Sequence, residues 1–430
     1  MRRFRVILFF IVITVLSHPA WAQITLEECQ ELARYNYPLL KKYDLIKQTS
    51  GYNISNINKG YMPQLSFSGD ISYQSEVADL PEALSNMLAS NGYDYKGMEK
   101  DQYKIALNMN QVIWDGGNIK AQKELARAEE KIQTAQTDVE MYAIRSRVNE
   151  LFFGILLLDE KIKLNEELQN LLQDNYRKLE AQRKSGTAMK SDVDAVQAEF
   201  LQARQDMTAL KSMRKRYQQM LAIFTGKDTD DISILQKPAA ILPDTYESQR
   251  PELNLYSLRI QHAEVQKKLL NAGIRPKLSL FAQGFYGYPG YDLFNSMFYH
   301  NMKLYGIVGV KLTWDISKFY TLRTDRNKLD IAQKRIETER ETFIFKSRLQ
   351  SAQETEAIEQ YRKMMEDDTD IIKLRTSVRR AAEAKLEHGI IDVNNLLQEI
   401  TKENKARIEH SSHELEMLKN IYELKNTINR

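Results

Sequence analysis

The sequence has 430 residues, of which 61 are Lys or Arg and 58 are Asp or Glu, and its formal charge is +3. This excess comes from Arg2, Arg3 and Arg5, so the chain after residue 22 is neutral, which argues against nucleic-acid binding. Cys29 is the only cysteine, which excludes an intrachain disulfide and a cysteine-based metal cluster.

The N-terminal residues have the three parts of a secretory signal peptide. The basic start is followed by the apolar run Val6–Leu16 and by Ala20-Trp21-Ala22, which has small residues where a signal peptidase needs them. We therefore expect residues 1–22 to be removed. Beyond them the longest apolar run is Leu151–Leu158, far shorter than the roughly 20 residues of a membrane-spanning helix. Any membrane-spanning part would have to consist of strands.

Internal repetition organises the rest of the chain. Landmarks recur in the same order at offsets of 200 to 213 residues: Pro38, Pro63, Trp114-Asp115 and Gly186, then Pro251, Pro276, Trp314-Asp315 and Gly389. The pattern predicts a first repeat over residues 23–225, a linker or equatorial segment over 226–246 and a second repeat over 247–430. We expect a helix, two strands and a long helical hairpin in each repeat.

The hydrophobic period changes in a fixed order within each repeat. Helical patterns at Pro38–Gly60 and Pro251–Gly273 are followed by stretches in which apolar and polar residues alternate, which is typical of strands with one apolar face. In both repeats the alternation resumes after a loop, and in the first repeat it then loses its parity around Gln111–Ile113, which indicates a bulge. Four strands are therefore expected in the chain.

Long helices follow each Trp-Asp pair. Asn118–Lys184 contains no proline and would reach about 100 Å as one continuous helix. The return segment after Gly186 has apolar residues at coiled-coil spacing, interrupted only by Arg214, and the second repeat has the same plan around Gly389. The sequence therefore predicts two long helical hairpins.

Four strands of about ten residues have the length of tilted membrane strands but cannot close a barrel. Three chains would supply twelve strands and enough long helices for a tube. The predicted fold is therefore an internally duplicated α+β membrane protein, in which a trimeric twelve-stranded barrel continues into an α-helical coiled-coil tunnel.

The chain resembles the TolC-like outer membrane efflux proteins over nearly its whole mature length. The similar segments are Ile24-Thr25-Leu26-Glu27-Glu28-Cys29, the helix between Pro38 and Pro63, Gln111-Val112-Ile113-Trp114-Asp115-Gly116-Gly117, Ser185-Gly186-Thr187 and Ser191-Asp192-Val193. The resemblance implies a homotrimer in the outer membrane lipid that extends into the periplasm. It also implies passive conduction, without a cofactor, toward the cell exterior. Energy would come from an inner-membrane pump or a secretion ATPase, joined through a periplasmic adaptor.

The resemblance places the functional residues at the hairpin tips. Gly186 and Thr187 on one tip, with Gly389, Ile390 and Ile391 on the other, are the expected adaptor-docking residues, and we expect both isoleucines to be exposed. In the family, acidic side chains line a constriction near the tips. Asp192 lies six residues after Gly186, whereas the matching position after Gly389 is Asn395, and Asp392 lies about one turn earlier. These three residues are the gating candidates, and helix capping is the alternative role for the two carboxylates.

Several other side chains allow two interpretations. Trp114 and Trp314 could anchor the chain at the membrane interface or simply pack at strand-to-helix junctions. Tyr286, Tyr288, Tyr291, Phe294 and Tyr299 suggest an outer aromatic girdle. His410 and His413 are spaced as metal ligands can be, although a solvated polar helix face fits their surroundings better.

No nucleophile–base set, phosphate-binding loop or H-E-x-x-H motif is present, so we do not expect an enzyme. A periplasmic adaptor and a coiled-coil scaffold remain as alternatives to a channel. Against the adaptor, the chain has two hairpins and two strand pairs; against the scaffold, it has four strands of membrane length.

Overall fold

The computed structural model describes residues 23–244 and 247–429. The predicted signal peptide, residues 1–22, lies outside the described residues, as do Thr245, Tyr246 and Arg430. The elements up to the predicted linker are α1 (Leu26–Asn36), α2 (Lys41–Asn58), β1 (Gln64–Tyr73), α3 (Glu82–Ser90), β2 (Asp101–Trp114), α4 (Asn118–Lys184) and α5 (Lys190–Thr225). The elements after it are α6 (Pro251–Gly273), β3 (Lys277–Tyr288), α7 (Leu293–Phe298), β4 (Lys303–Thr313), α8 (Lys318–Glu387) and α9 (Val393–Ile428).

The first helix starts at a reciprocal cap. The Glu28 backbone N–H donates to Thr25 Oγ1 over 3.2 Å, and the Thr25 N–H donates to Glu28 Oε2 over 2.9 Å. This is the capping box formed by Thr-x-x-Glu sequences, which satisfies two donors that the helix itself cannot pair. The hydrophobic pattern alone did not predict this helix, but the capping sequence at Thr25 could have done so.

The chain forms two compact units. The first contains the described residues up to Tyr43, Ala135–Asn254 and the residues from Glu339 onward, and the second contains Asp44–Thr134 and Leu255–Thr338. Each unit therefore draws on both predicted repeats.

The first unit consists of helices around two hydrophobic clusters. The larger cluster is centred on fully buried side chains of α1, α4, α5 and α9, among them Leu26, Phe152, Leu221 and Leu424. The second cluster, here called the tip core, lies beside the two helical reversals. It contains the buried residues Leu172, Leu179, Val193, Val196, Ala203, Ala382, Val393, Leu396 and Ile400. Because these residues come from all four long helices, the two hairpins share one apolar core.

The second unit contains an antiparallel sheet with strand order β1-β2-β3-β4. Phe67 lies opposite Leu107, Met109 opposite Ala282, and Leu280 opposite Val310. The register shifts between Val112 and Trp114, which confirms the bulge expected from the parity break near that position. None of the helices within residues 23–244 and 247–429 is both long enough and apolar enough to cross a membrane.

Candidate functional site

The first hairpin reverses at Gly186, whose φ is +78°. The Gly186 N–H donates to Arg183 O over 3.1 Å, and the Thr187 N–H donates to Gln182 O over 2.9 Å. A left-handed glycine followed by a bond to the carbonyl five residues back is a common way to end a helix. The left-handed geometry expected for this glycine is therefore present.

The second hairpin reverses in the same way at Gly389, whose φ is +68°. Its N–H donates to Leu386 O over 2.9 Å, and the Ile390 N–H donates to Lys385 O over 2.8 Å. At both glycines an added Cβ would meet no described heavy atom within 4 Å. Glycine is therefore required here by backbone conformation and not by lack of space.

The acidic gating candidates all lie where the return helices begin. Asp392 is the N-cap of α9, and its Oδ1 accepts the Asn395 N–H over 2.8 Å. Asp192 lies inside the first turn of α5, and its Oδ2 accepts the Met189 N–H over 3.0 Å. Each carboxylate therefore pairs a helix N-terminal donor, which explains why the acidic position differs between the tips. The capping carboxylate lies three residues after the glycine in the second hairpin and six residues after the glycine in the first.

The apolar surface of the tips differs in part from the expectation. Ile390 is 69% exposed, as predicted, but Ile391 is only partly exposed and packs against the tip core. The expectation that Ile391 is exposed is therefore wrong, because its side chain contributes to the packing between the hairpins. Met189 is 73% exposed on the other tip, and its exposure was not predicted from the sequence. Its position three residues after the reversing glycine was the available signal.

A charged network lies in the second hairpin. Glu403 is buried and accepts hydrogen bonds from Thr376 Oγ1 and Arg407 Nη2, each over 2.8 Å, and from Arg379. Burial alone would raise the pKa of Glu403, but these hydrogen bonds outweigh it and hold the pKa below its usual value. The carboxylate is therefore charged at neutral pH and joins α8 to α9.

The sheet has two chemically different faces. One face is apolar along all four strands, with strongly exposed side chains that include Leu65, Phe67, Ile71, Leu304, Val308, Val310 and Leu312. The other carries polar side chains such as Ser66, Asn108 and Gln283, and Gln283 donates to Asn108. Antiparallel partners lie on the same face, so the alternation seen in each strand continues across the sheet.

The two tryptophans lie at the strand ends. Trp114 and Trp314 are both about half exposed. The Trp314 Nε1–H donates to Ile274 O over 2.9 Å, and its ring packs edge-on against Phe319. Trp314 thus has local packing partners and also exposes ring surface. This geometry suits an interfacial residue, and the anchoring role stays a prediction.

The expected aromatic girdle is wrong for two of its members. Tyr288 is buried, accepting the Glu99 N–H and donating to Ser296 O. Tyr291 packs its ring on Phe285 and Tyr305, whose positions belong to the polar face. The loop after β3 therefore folds over the polar face instead of continuing the apolar one.

The histidine pair contacts a single buried carboxylate. His413 Nδ1 lies 2.9 Å and His410 Nδ1 3.3 Å from Asp368 Oδ2. In the described part of the chain no group of three or more His, Cys, Asp or Glu side chains is arranged to hold a metal ion. The pair thus connects α9 to α8, and its surroundings are less solvated than the sequence suggested.

Four lysines on the polar face were not predicted as functional residues from the sequence. They are Lys104, Lys277, Lys303 and Lys311. Each has the parity of its strand's polar side chains, so the signal was present strand by strand. The concentration of positive charge on one face becomes evident only when the register joins the four strands.

Solved outer membrane proteins have this fold. VceC of Vibrio cholerae is 12% identical with a TM-score of 0.66, and the match covers 94% of this chain and 95% of that one. The CmeC outer membrane channel of Campylobacter jejuni is 13% identical with a TM-score of 0.65, covering 94% and 85%. The MtrE outer membrane channel of Neisseria gonorrhoeae is 14% identical with a TM-score of 0.62, covering 94% and 88%. The fold is thus that of outer membrane channels.

The sequence itself also matches a family. Residues 31–227 match the family described as outer membrane efflux protein. This match confirms the resemblance seen in the sequence, and it covers most of the first predicted repeat. No curated protein sequence shows a significant match.

Proposed function

We propose that three copies of this chain form an outer membrane channel that conducts exported molecules passively. In this proposal each chain supplies four strands of a twelve-stranded barrel, and the helical hairpins build a tunnel in the periplasm. The energy comes from an inner-membrane pump or secretion ATPase, which reaches the tunnel through a periplasmic adaptor. The family match and the channel fold support this assignment.

The observation that carries the proposal is the exposed apolar face of the sheet. Between Leu65 and Leu312 that face has no charged side chain except Asp101, the first residue of β2. Such a face is unfavourable in water but suits lipid, in which alternating strands place apolar side chains outward and polar ones inward.

The sheet edges supply the argument for oligomerisation. Within the residues that the structure describes, β1 pairs only with β2, and β4 pairs only with β3. Unpaired strand edges are not tolerated in lipid, where backbone groups lack water as a partner. Pairing β1 of one copy with β4 of the next removes both edges.

A cysteine cross-linking experiment tests this pairing. Cysteines placed singly along β4 are combined with Ser68→Cys on β1 in a Cys29→Ala background. We expect disulfide-linked dimers and trimers at one or two β4 positions, in a heat-modifiable outer membrane species. Asn108→Cys with Gln283→Cys is the matched control, because these residues already lie opposite each other within one chain. Purely intramolecular products throughout the scan would refute the trimer.

A second experiment tests adaptor docking at the tips. A photoreactive residue at Met189 or Ile390 should cross-link to a periplasmic protein anchored in the inner membrane. Leu374 on α8 is the matched control, because it is apolar and 67% exposed, close to the 69% of Ile390. Equal capture of the adaptor from Leu374, or none from either tip, would remove the tips as the docking site.

A further inference from the structure

The polar face of the sheet carries an excess of positive charge. Within the four strands it has Lys104, Lys277, Lys303 and Lys311, and its only carboxylate is Asp70. The net charge of that face is therefore positive, although the whole mature sequence is neutral. The lysines come from three strands, and the register places them on one surface.

The described residues leave this charge uncompensated. Asp70 lies opposite Lys104 in the β1–β2 register, yet no ion pair joins them. Lys104 Nζ instead lies 4.7 Å from the centre of the Phe285 ring and 3.5 Å from Gln283 Oε1. Lys303 donates to the neutral side-chain oxygen of Asn295 over 2.7 Å. These partners hold the ammonium groups in place without cancelling their charge.

Lys277 and Lys311 are exposed near the strand ends that lead to the long helices. Lys311 lies opposite Ser279, two residues from Lys277 on the same face. Such diagonal neighbours are close enough for like charges to repel. These two exposed lysines therefore add positive potential to this part of the sheet.

We infer that the polar face makes the strand region of the channel selective for anions, so that negatively charged cargo passes it more easily than positively charged cargo. The inference rests on the proposed function, because the polar face borders a conduit only when the sheet is part of a closed barrel. Threefold assembly would then bring twelve such lysines around one lumen.

The expected change in ion selectivity follows from the electrostatic potential of a charged lumen. A potential on the order of one thermal energy enriches chloride and depletes potassium, each about threefold. Screening limits this effect to about 10 Å from the charges at 0.1 M salt. Because Lys277 and Lys311 supply two of the three net charges per chain, neutralising both removes about two thirds of the potential and should lower the chloride-to-potassium permeability ratio about fourfold.

The test uses the purified full-length protein in planar bilayers under a KCl gradient, with the reversal potential as readout. Lys277→Gln with Lys311→Gln should shift selectivity toward potassium. Lys277→Arg with Lys311→Arg keeps the charge and should behave as the wild type. Asp70→Asn removes the opposing carboxylate and should shift selectivity toward chloride.

Each outcome decides between the two proposals. Opposite shifts in the glutamine and asparagine variants, with none in the arginine variant, support anion selectivity at the sheet. Stable channels whose reversal potential is the same in all variants overturn this inference and leave the channel intact. Absence of both trimers and conductance in the wild type removes the proposed function, and the inference with it.

Discussion

Replacement of Gly186 isolates the contribution of one backbone angle to a hairpin tip. Its φ of +78° is unfavourable for other residues, but an added Cβ meets no described heavy atom within 4 Å. Gly51 in α2 is equally open and has no positive φ, so it is the matched control. The same Gly→Ala change at the two positions therefore differs only in backbone strain.

The two substitutions should change the stability of the protein in opposite directions. Alanine at Gly186 costs about 1–2 kcal/mol, the penalty of the left-handed conformation for a residue with a Cβ. Valine should cost more and asparagine less, because branched residues are outliers there and asparagine is enriched. Gly51→Ala should stabilise its helix by up to about 1 kcal/mol, because alanine loses less backbone entropy than glycine.

Hydrogen exchange of the Thr187 amide measures this cost. That amide donates to Gln182 O across the reversal, so its protection reports the closed tip. A cost of about 1–2 kcal/mol should accelerate its exchange by a factor of about 5–30, while the proposed trimer stays assembled. Wild-type protection in Gly186→Val, or faster exchange in the asparagine variant than in the valine variant, would refute the argument from φ.

Four further predictions concern single side chains. Gly154→Ala should destabilise the protein by up to about 2 kcal/mol, because the added Cβ would lie 2.5 Å from Tyr217 Cε2. Thermal unfolding should show the loss of stability, and a second substitution, Tyr217→Leu, should relieve the clash. Burial raises the pKa of Glu354 even though Thr427 and Gln350 donate hydrogen bonds to its carboxylate. The contribution of Glu354 to stability is therefore complete below its pKa in the unfolded chain, and it is lost as the pH rises through its higher pKa in the folded protein. Glu354→Gln should therefore raise the melting temperature at neutral pH by about 2–4 °C and leave it unchanged near pH 4. Burial raises the pKa of Cys29 to about 12, so a maleimide should label it only after unfolding in urea. Asp392→Asn should retain the cap and, if the Asp392 ring constricts the pore, reduce cation preference in bilayer recordings; unchanged selectivity would leave this residue as a cap.

The long elements could be predicted from the sequence because their signals are local. The bounds of α4 and α6 agree with the predicted segments Asn118–Lys184 and Pro251–Gly273. Helical periodicity repeats many times over such lengths, and glycine or proline marks the ends. The predicted helix Pro38–Gly60 instead has 3₁₀ turns at both ends, at Pro38–Leu40 and Lys59–Tyr61. Helix ends depend on a few hydrogen bonds, which periodicity does not specify.

Side-chain surroundings were less predictable because they depend on residues distant in sequence. Tyr288 is buried and hydrogen-bonded to the backbone of Glu99 and Ser296, and the position of Glu99 relative to β3 follows only from the sheet register. The helices α3 and α7 were missed because each is short and lies in a loop. The alternation of each strand was predictable, whereas the combined charge of four strands required the pairing between them.

Charged side chains inside the hairpins explain how the tip positions are specified. An apolar seam with a heptad period does not by itself distinguish the native register from a shift of seven residues, or about 10 Å. Arg214 of α5 pairs with Asp159 of α4, and Arg379 of α8 pairs with Glu403 of α9. Arg379 and Glu403 are mostly buried, so a shifted register that leaves either charge unpaired costs about 3–5 kcal/mol, whereas the more exposed Arg214–Asp159 pair contributes less. The same shift would break the bonds that close both reversals at Gly186 and Gly389. Seam charges and tip glycines therefore select one register, and that register fixes Asp192 and Asp392 at the starts of the two return helices.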